Sequence, residues 1–373
     1  MKVVWHISRL PLMLALAALA ILAIGVHSLT WFAERNPDVV RDWLSRELGE
    51  PVWFETIKAD WDGVDLSLAL TRVRIGEQGT ETEDRPGGGA MEFKRLAMGV
   101  DLLQGAFGFD WRPAYLRIGG ASLRVHRLAD RSLRIAGIRQ PLAAREEPGP
   151  EGGVDQGIWL LSQAQVSIED SDLELRDDFR WSEQPPLKLS SVSIHLRNQG
   201  DAHELTGEAS LSPTYGDRLK FRLSLDGNPL TQAWNGESEL HAEGLHLAGW
   251  LGDQRIAGVR LHNGDLAVQS HARWEHSRLV SSEADIEVIG LALTAAERPG
   301  DTVNWPLLRG KLNWRQRQQG WALEIAGLKV RGPSGDWPEQ NVLLVADRAD
   351  SGQREFSLSM DAISIGDLGR VAP

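Results

Sequence analysis

From Val52 to the C-terminus, apolar and polar residues alternate with period two. Leu66, Leu68 and Leu70, Leu116 and Ile118, Val166 and Ile168, Leu187 and Leu189, Phe221 and Leu223, and Leu323 and Ile325 each face one way, with polar residues between them. Such alternation predicts a mainly β body of antiparallel strands, apolar on one face and charged on the other. Several strands then change parity by one residue and resume. Leu70 gives way to Val73 and Ile75, Ile118 to Leu123 across Gly119-Gly120, Ile168 to Leu173 across Asp170, and Leu189 to Val192 across Ser190-Ser191. One extra residue flips every following side chain to the other face. A β-bulge and a tight hairpin both produce this flip, and Asn263-Gly264 is a strong hairpin dipeptide. Bulges repeated in neighbouring strands curl a sheet into a gutter. The expected fold is an elongated, strongly curved antiparallel sheet forming an apolar groove. A closed β-sandwich, with the same residues filling an ordinary core, is the alternative that alternation leaves open.

Before Val52 the period is helical. Asn36-Pro37-Asp38 combines an N-cap, a first-turn proline and an acid at the positive end of the helix dipole. Val40, Trp43, Leu44 and Leu48 then share one face, and Gly49 with Pro51 ends the helix. This short amphipathic helix can pack on the following sheet or lie on a bilayer. Upstream, residues 10–33 are 24 consecutive residues without Asp, Glu, Lys or Arg, long enough to span a membrane. An uncleaved anchor is favoured over a cleaved signal peptide because the apolar run exceeds the usual signal core, although Val26-His27-Ser28 is a passable cleavage site. Lys2 and Arg9 precede the span, and Trp5 and Trp31 flank it about 39 Å apart at 1.5 Å per residue, the separation of two headgroup belts. A short basic N-terminus places residues 1–9 inside and the body outside.

Residues 77–89 and 139–157 are aperiodic and rich in Gly, Pro and Glu, as exposed loops are. They divide the body into a helix-plus-β module, 36–138, a flexible loop, 139–157, and a β-rich region, 158–373. A weak echo relates Glu239–Leu247 to Ser359–Asp367, about 120 residues later. The first copy runs into Ala248-Gly249-Trp250-Leu251, and the second stops at Pro373, so the repeat reads as cut in mid-unit.

Composition narrows the function. Apolar residues are 42% and charged residues 25%, as in a folded protein, and the net charge of −12 argues against nucleic-acid binding. Without cysteine there is no disulfide, thiolate nucleophile or Cys-based metal site. No catalytic motif of useful specificity occurs, and neither a cofactor nor an enzymatic activity is expected. His241/His246 and His271/His276 are spaced by five, which on a strand puts partners on opposite faces. Asp60, Asp62 and Asp65 read as a turn, and Glu169, Asp170 and Asp172 as a bulge. The 15 Trp against 2 Tyr fit surfaces that meet lipid as well as ordinary cores.

The order of apolar anchor, short helix ending Glu47-Leu48-Gly49-Glu50-Pro51-Val52, Trp61, and the strand from Leu66 to Ile75 resembles the start of the AsmA-like proteins, closest to the YhdP branch. The likeness continues through Leu116-Arg117-Ile118, Leu123-Arg124-Val125 and Ala164 to Asp170. The resemblance implies a bacterial inner-membrane anchor, a periplasmic β-sheet bent around an apolar groove, and phospholipid as cargo between the two membranes. Leu66, Leu68, Leu70, Leu116, Ile118, Val166, Ile168, Leu187, Leu189, Phe221 and Leu223 are then the expected groove lining, with the helix near its mouth. Family chains are several times longer, which leaves autonomous bridging open. A non-catalytic envelope scaffold with unknown protein partners is the competing function.

Overall fold

The structure is a computed structural model. It describes residues 31–32, 34–48, 50–62, 65–76, 90–101, 113–129, 133–135, 164–179, 186–229, 234–252, 255–256, 259–295, 301–348, 354–362 and 367. The predicted span at 10–33 lies outside these residues except for Trp31 and Phe32. No helix among the described residues is long and apolar enough to cross a membrane.

Helix α1 (Pro37–Leu48) precedes β1 (Val52–Trp53), β2 (Thr56–Asp62), β3 (Asp65–Ile75), β4 (Met91–Asp101), β5 (Pro113–Arg127) and β6 (Leu133–Ile135). After the predicted loop come β7 (Gln165–Asp177), β8 (Leu187–Gln199), β9 (Ala202–Leu211), β10 (Arg218–Asp226) and β11 (Asn235–His246), then helix α2 (Leu247–Leu251). The chain continues through β12 (Arg255–Ile256), β13 (Val259–Glu275), β14 (Arg278–Ala295), β15 (Thr302–Gln316) and β16 (Gly320–Gly332). The last strands are β17 (Gly335–Asp336), β18 (Gln340–Arg348) and β19 (Arg354–Met360). All nineteen belong to one sheet. Four short pieces, β1, β6, β12 and β17, extend longer neighbours, leaving fifteen strands side by side, roughly 67 Å of sheet at ~4.8 Å per step. The two edge strands, β2 and β19, pair only with β3 and β18 among the described residues, so the sheet is open. The described strands do not divide into the two stacked sheets of a sandwich.

One joint departs from the antiparallel expectation. β5 and β7 run parallel, with Leu116 opposite Val166 and Val125 opposite Leu175. A parallel pair requires a long crossover, and the loop predicted at 139–157 lies within that connection.

The parity switches are left-handed residues, with the register breaking beside Asp170 and Ser191 and running unbroken past Arg72 and Gly120. Arg72, Asp170 and Ser191 have φ of 47°, 47° and 50°, and Gly120 has 60°. The later strands repeat the device at Gly244 (63°), Gly264 (153°), Gly290 (65°) and Gly327 (59°). Register connects these positions from strand to strand. Arg72 and Gly120 flank Lys94 of β4, the β7–β8 register breaks between Ile168 and Ser171, and Gly264 and Gly290 lie opposite each other across β13–β14. Together they form a crease along the sheet. Asn263-Gly264 is therefore not a hairpin. The chain turns instead at His276-Ser277, where φ is 49° and 58° at successive residues, the positive pair that a two-residue turn needs.

The crease divides the sheet into a near half, ending in the tips at 62/65, 199/202, 275/278 and 316/320, and a far half that meets the helices. Three apolar clusters fill the far half, the first reaching across the crease to Ile57 and Leu70. Val40 and Leu44 of α1 pack with Phe54, Val73, Phe93 and Ala121; Trp250 of α2 packs with Tyr215, Leu187 and Leu211; Trp337 packs with Val303, Trp305 and Val330. Hydrogen bonds fix the caps. Arg41 Nη2 donates to Phe54 O at 2.8 Å, and Trp250 Nε1 to Tyr215 O at 2.8 Å. Asp367, fully buried and helical, accepts the Trp337 indole N–H at 2.9 Å, so the second copy of the sequence echo also reaches the far half.

Candidate functional site

Cross-strand partners share a face, so register converts alternation into rows. Leu68 faces Met98, then Leu116, Val166, Leu196, Leu205 and Leu223. The row continues through Ser238, Ala272, Ser282, Trp314, Leu323 and Leu344 to Leu358 of β19. A second row runs beside it: Leu70, Leu96, Ile118, Ile168, Ile194, Gly207 and Phe221, then Leu240, Ser270, Ala284, Leu312, Ile325, Val342 and Met360. No charged residue interrupts either row. Gly207 is one reason, because a Cβ there would lie 2.5 Å from the Phe221 ring, which occupies that space.

The rows gather eight of the eleven residues expected to line a groove. Leu70, Leu116 and Val166 are buried, whereas Leu68, Ile118, Ile168, Phe221 and Leu223 remain partly exposed. Leu66 opposes Val100 in the register, and its side chain lies outside the described residues. Leu187 and Leu189 sit beyond the crease, against Tyr215 and Trp250. On α1, Val40 and Leu44 turn toward the sheet, and the side chains of Trp43 and Leu48 lie outside the described residues. Of the membrane flanks, Lys2, Trp5 and Arg9 also lie outside them, and Trp31 is exposed with the Arg35 guanidinium 4.6 Å from its ring centre. The later rows, from Leu312 to Leu358, add lining beyond the expected set. Their signal is the same alternation, in Leu312-x-Trp314, Val342-x-Leu344 and Phe356-x-Leu358.

The opposite face is ionic. Lys220 pairs with Glu208 at 3.5 Å, Arg309 with Glu287 at 3.6 Å, and Lys311 with Asp285 at 3.6 Å, each across neighbouring strands. A cavity of about 590 Å³ opens on this face among His195, Arg222, Glu239, His271, Glu283 and Lys311. No cluster of metal-binding side chains occurs among the described residues. His241 lies 3.1 Å from Glu243, and His246 shares a hydrogen bond with Pro213 O at 2.8 Å.

The crease itself is hydrogen-bonded where the parallel pair crosses it. Ser171 Oγ, buried, accepts the Ala121 N–H at 2.9 Å and donates to Glu169 O at 2.8 Å. At the far end of this pair, His126 and Asp178 are joined at 2.6 Å, and Arg176 Nε donates to Asp178 at 3.1 Å. Burial raises the Asp178 pKa, but these hydrogen bonds and charges outweigh it and hold the carboxyl below its ordinary value.

Searches of curated proteins and of solved structures gave no match. The family model described as YhdP protein matches residues 1–373, the full length of the chain, and in agreement with the AsmA-like motifs near its N-terminus the chain belongs to the YhdP family.

Proposed function

We propose that this chain is a non-enzymatic, membrane-anchored envelope protein that carries phospholipid between the inner and outer membranes on the apolar face of its sheet. The carrying observation is the pair of uncharged rows from Leu68 and Leu70 to Leu358 and Met360. Exposing a sixteen-carbon acyl chain to water costs roughly 13 kcal/mol at ~0.8 kcal/mol per CH₂, so a conduit requires an unbroken apolar floor. The sheet supplies an uncharged floor over fourteen strands, apolar except at Ser238, Ser270 and Ser282. On this reading the crease curls the floor into a groove. The uncharged run at 10–33 supplies the anchor, with the N-terminus cytoplasmic and the body periplasmic.

Mass spectrometry of the full chain purified in detergent tests this reading. Wild type is expected to carry phospholipid reproducibly, and Leu68→Asp or Ile168→Asp to lose most of it while remaining folded by circular dichroism. A folded, lipid-free wild type overturns the proposal.

A further inference from the structure

The two edges of the sheet are built differently. At β2 the Ala59 N–H donates away from the sheet to Glu34 Oε1 at 3.1 Å, Lys58 is exposed, and Ile57 is buried in one cluster with Leu44 of α1. An edge charge and a covering segment are ways in which a sheet refuses a further strand. From Phe356 to Met360, β19 has neither. It carries no charge, proline or register shift there, and Phe356 and Leu358, 63% and 64% exposed, are the most exposed large apolar side chains among the described residues.

The Asp361 N–H donates to Asn341 O at 3.3 Å, so Glu355, Ser357 and Ser359 turn their backbone groups toward β18, and Phe356, Leu358 and Met360 turn theirs outward. No described strand pairs with that outward side. The opposite face changes here too, presenting Leu343, 40% exposed, with Val345, Ser357 and Ser359, where other strand pairs carry ion pairs such as Lys220–Glu208 and Lys311–Asp285. A lipid on the apolar face supplies no backbone partners, whereas a protein strand supplies both donors and acceptors.

β19 is complementary to itself. Laid antiparallel on a second copy, its outward residues must meet outward residues, so the possible registers differ by two. With Ser357 opposite the partner's Ser357, the whole of β19 is paired, Phe356 faces the partner's Leu358 and Glu355 faces the partner's Ser359. Shifted one way, Glu355 opposes the partner's Asp361, a destabilising like-charge pair. Shifted the other way, the pairing shortens to residues 354–358.

We infer that the β19 edge docks a second copy of this chain, antiparallel about Ser357, into a twofold dimer whose apolar faces are continuous. With β2 guarded, such a pair closes at two. A seven-residue strand pair is small beside the roughly 1,000 Å² of a stable interface, so the dimer is weak and concentration-dependent. The chain contains no cysteine, so Ser357→Cys introduces a single thiol. In the centred register the two copies of residue 357 form a non-hydrogen-bonded pair with Cα atoms about 4.5 Å apart, within reach of a disulfide. The full chain in detergent, oxidised with copper phenanthroline, is expected to give roughly fivefold more cross-linked dimer with Ser357→Cys than with Ser359→Cys, whose counterpart is four residues out of register. Adding Leu358→Pro, which removes an outward N–H that its own sheet does not use, is expected to remove most of the dimer while the circular dichroism spectrum is retained. Phe356→Lys, which keeps every backbone group, is expected to do the same. Equal cross-linking through both cysteines places the contact elsewhere and overturns the inference, as does a dimer that survives both edge variants. A folded Ser357→Cys chain that stays monomeric leaves the edge to a strand of another protein and also overturns it.

Discussion

Phe54, Val73 and Phe93, beyond the crease, and Ile168, Leu205 and Leu223, before it, belong to the apolar side of one sheet, yet the first three are buried and the others partly exposed. The difference comes from what covers them. The far half receives α1, the Tyr215 and Trp250 pair, and Trp337 with Asp367. Among the described residues, the near half receives only its own neighbouring strands, apart from the margin beside α1. One alternation pattern therefore builds a core and an open surface in the same strands, and the crease decides where one becomes the other. On the proposed reading, the far half holds most of the covered core and the near half the surface offered to lipid.

The largest expected effect tests that division directly. Phe54→Ala, at a fully buried side chain, is expected to cost about 3–5 kcal/mol in denaturant melts. Leu223→Ala, at a partly exposed one, is expected to cost about 1 kcal/mol. Equal losses would erase the distinction between core and surface. At the boundary, Ser171→Ala leaves the Ala121 N–H buried without its acceptor and is expected to cost about 1–3 kcal/mol. Faster hydrogen exchange at Ala121 would accompany it. The smallest effect lies at the far end of β5 and β7. Because the Asp178 carboxyl is held below its ordinary value of 3.8, its stabilisation is present above that pH and fades as pH falls through the lower folded value. The opening free energy at 125–127 and 175–177, from exchange corrected for its intrinsic pH dependence, is expected to fall below about pH 4, by less than about 1 kcal/mol for this partly exposed pair.

Alternation made the rows and half of the crease legible in the sequence. The parity changes at Leu70/Val73, Gly119-Gly120, Asp170 and Ser190-Ser191 mark left-handed residues that return the apolar side chains to one face, with register breaks at the last two. Asn263-Gly264 misleads because a bulge and a two-residue turn draw on the same left-handed conformations, and the turn at His276-Ser277 carries no glycine to announce it. The parallel joint is hidden for a different reason: period-two patterning identifies a strand's faces but not its neighbour. The distinction between Leu187 and Leu223 is hidden too, since covering side chains such as Trp250 arrive from elsewhere in the chain.

The parallel joint also divides the molecule's assembly. Every other long pairing among the described strands joins segments close in sequence, whereas Leu116 meets Val166 across 50 positions. Closing that loop incurs chain entropy before any contact rewards it, and local hairpins incur far less. β2 to β5 and β7 to β19 are thus two locally nucleated runs joined by a single nonlocal closure. Among the described strands, that closure is the pairing with the largest loop entropy to overcome.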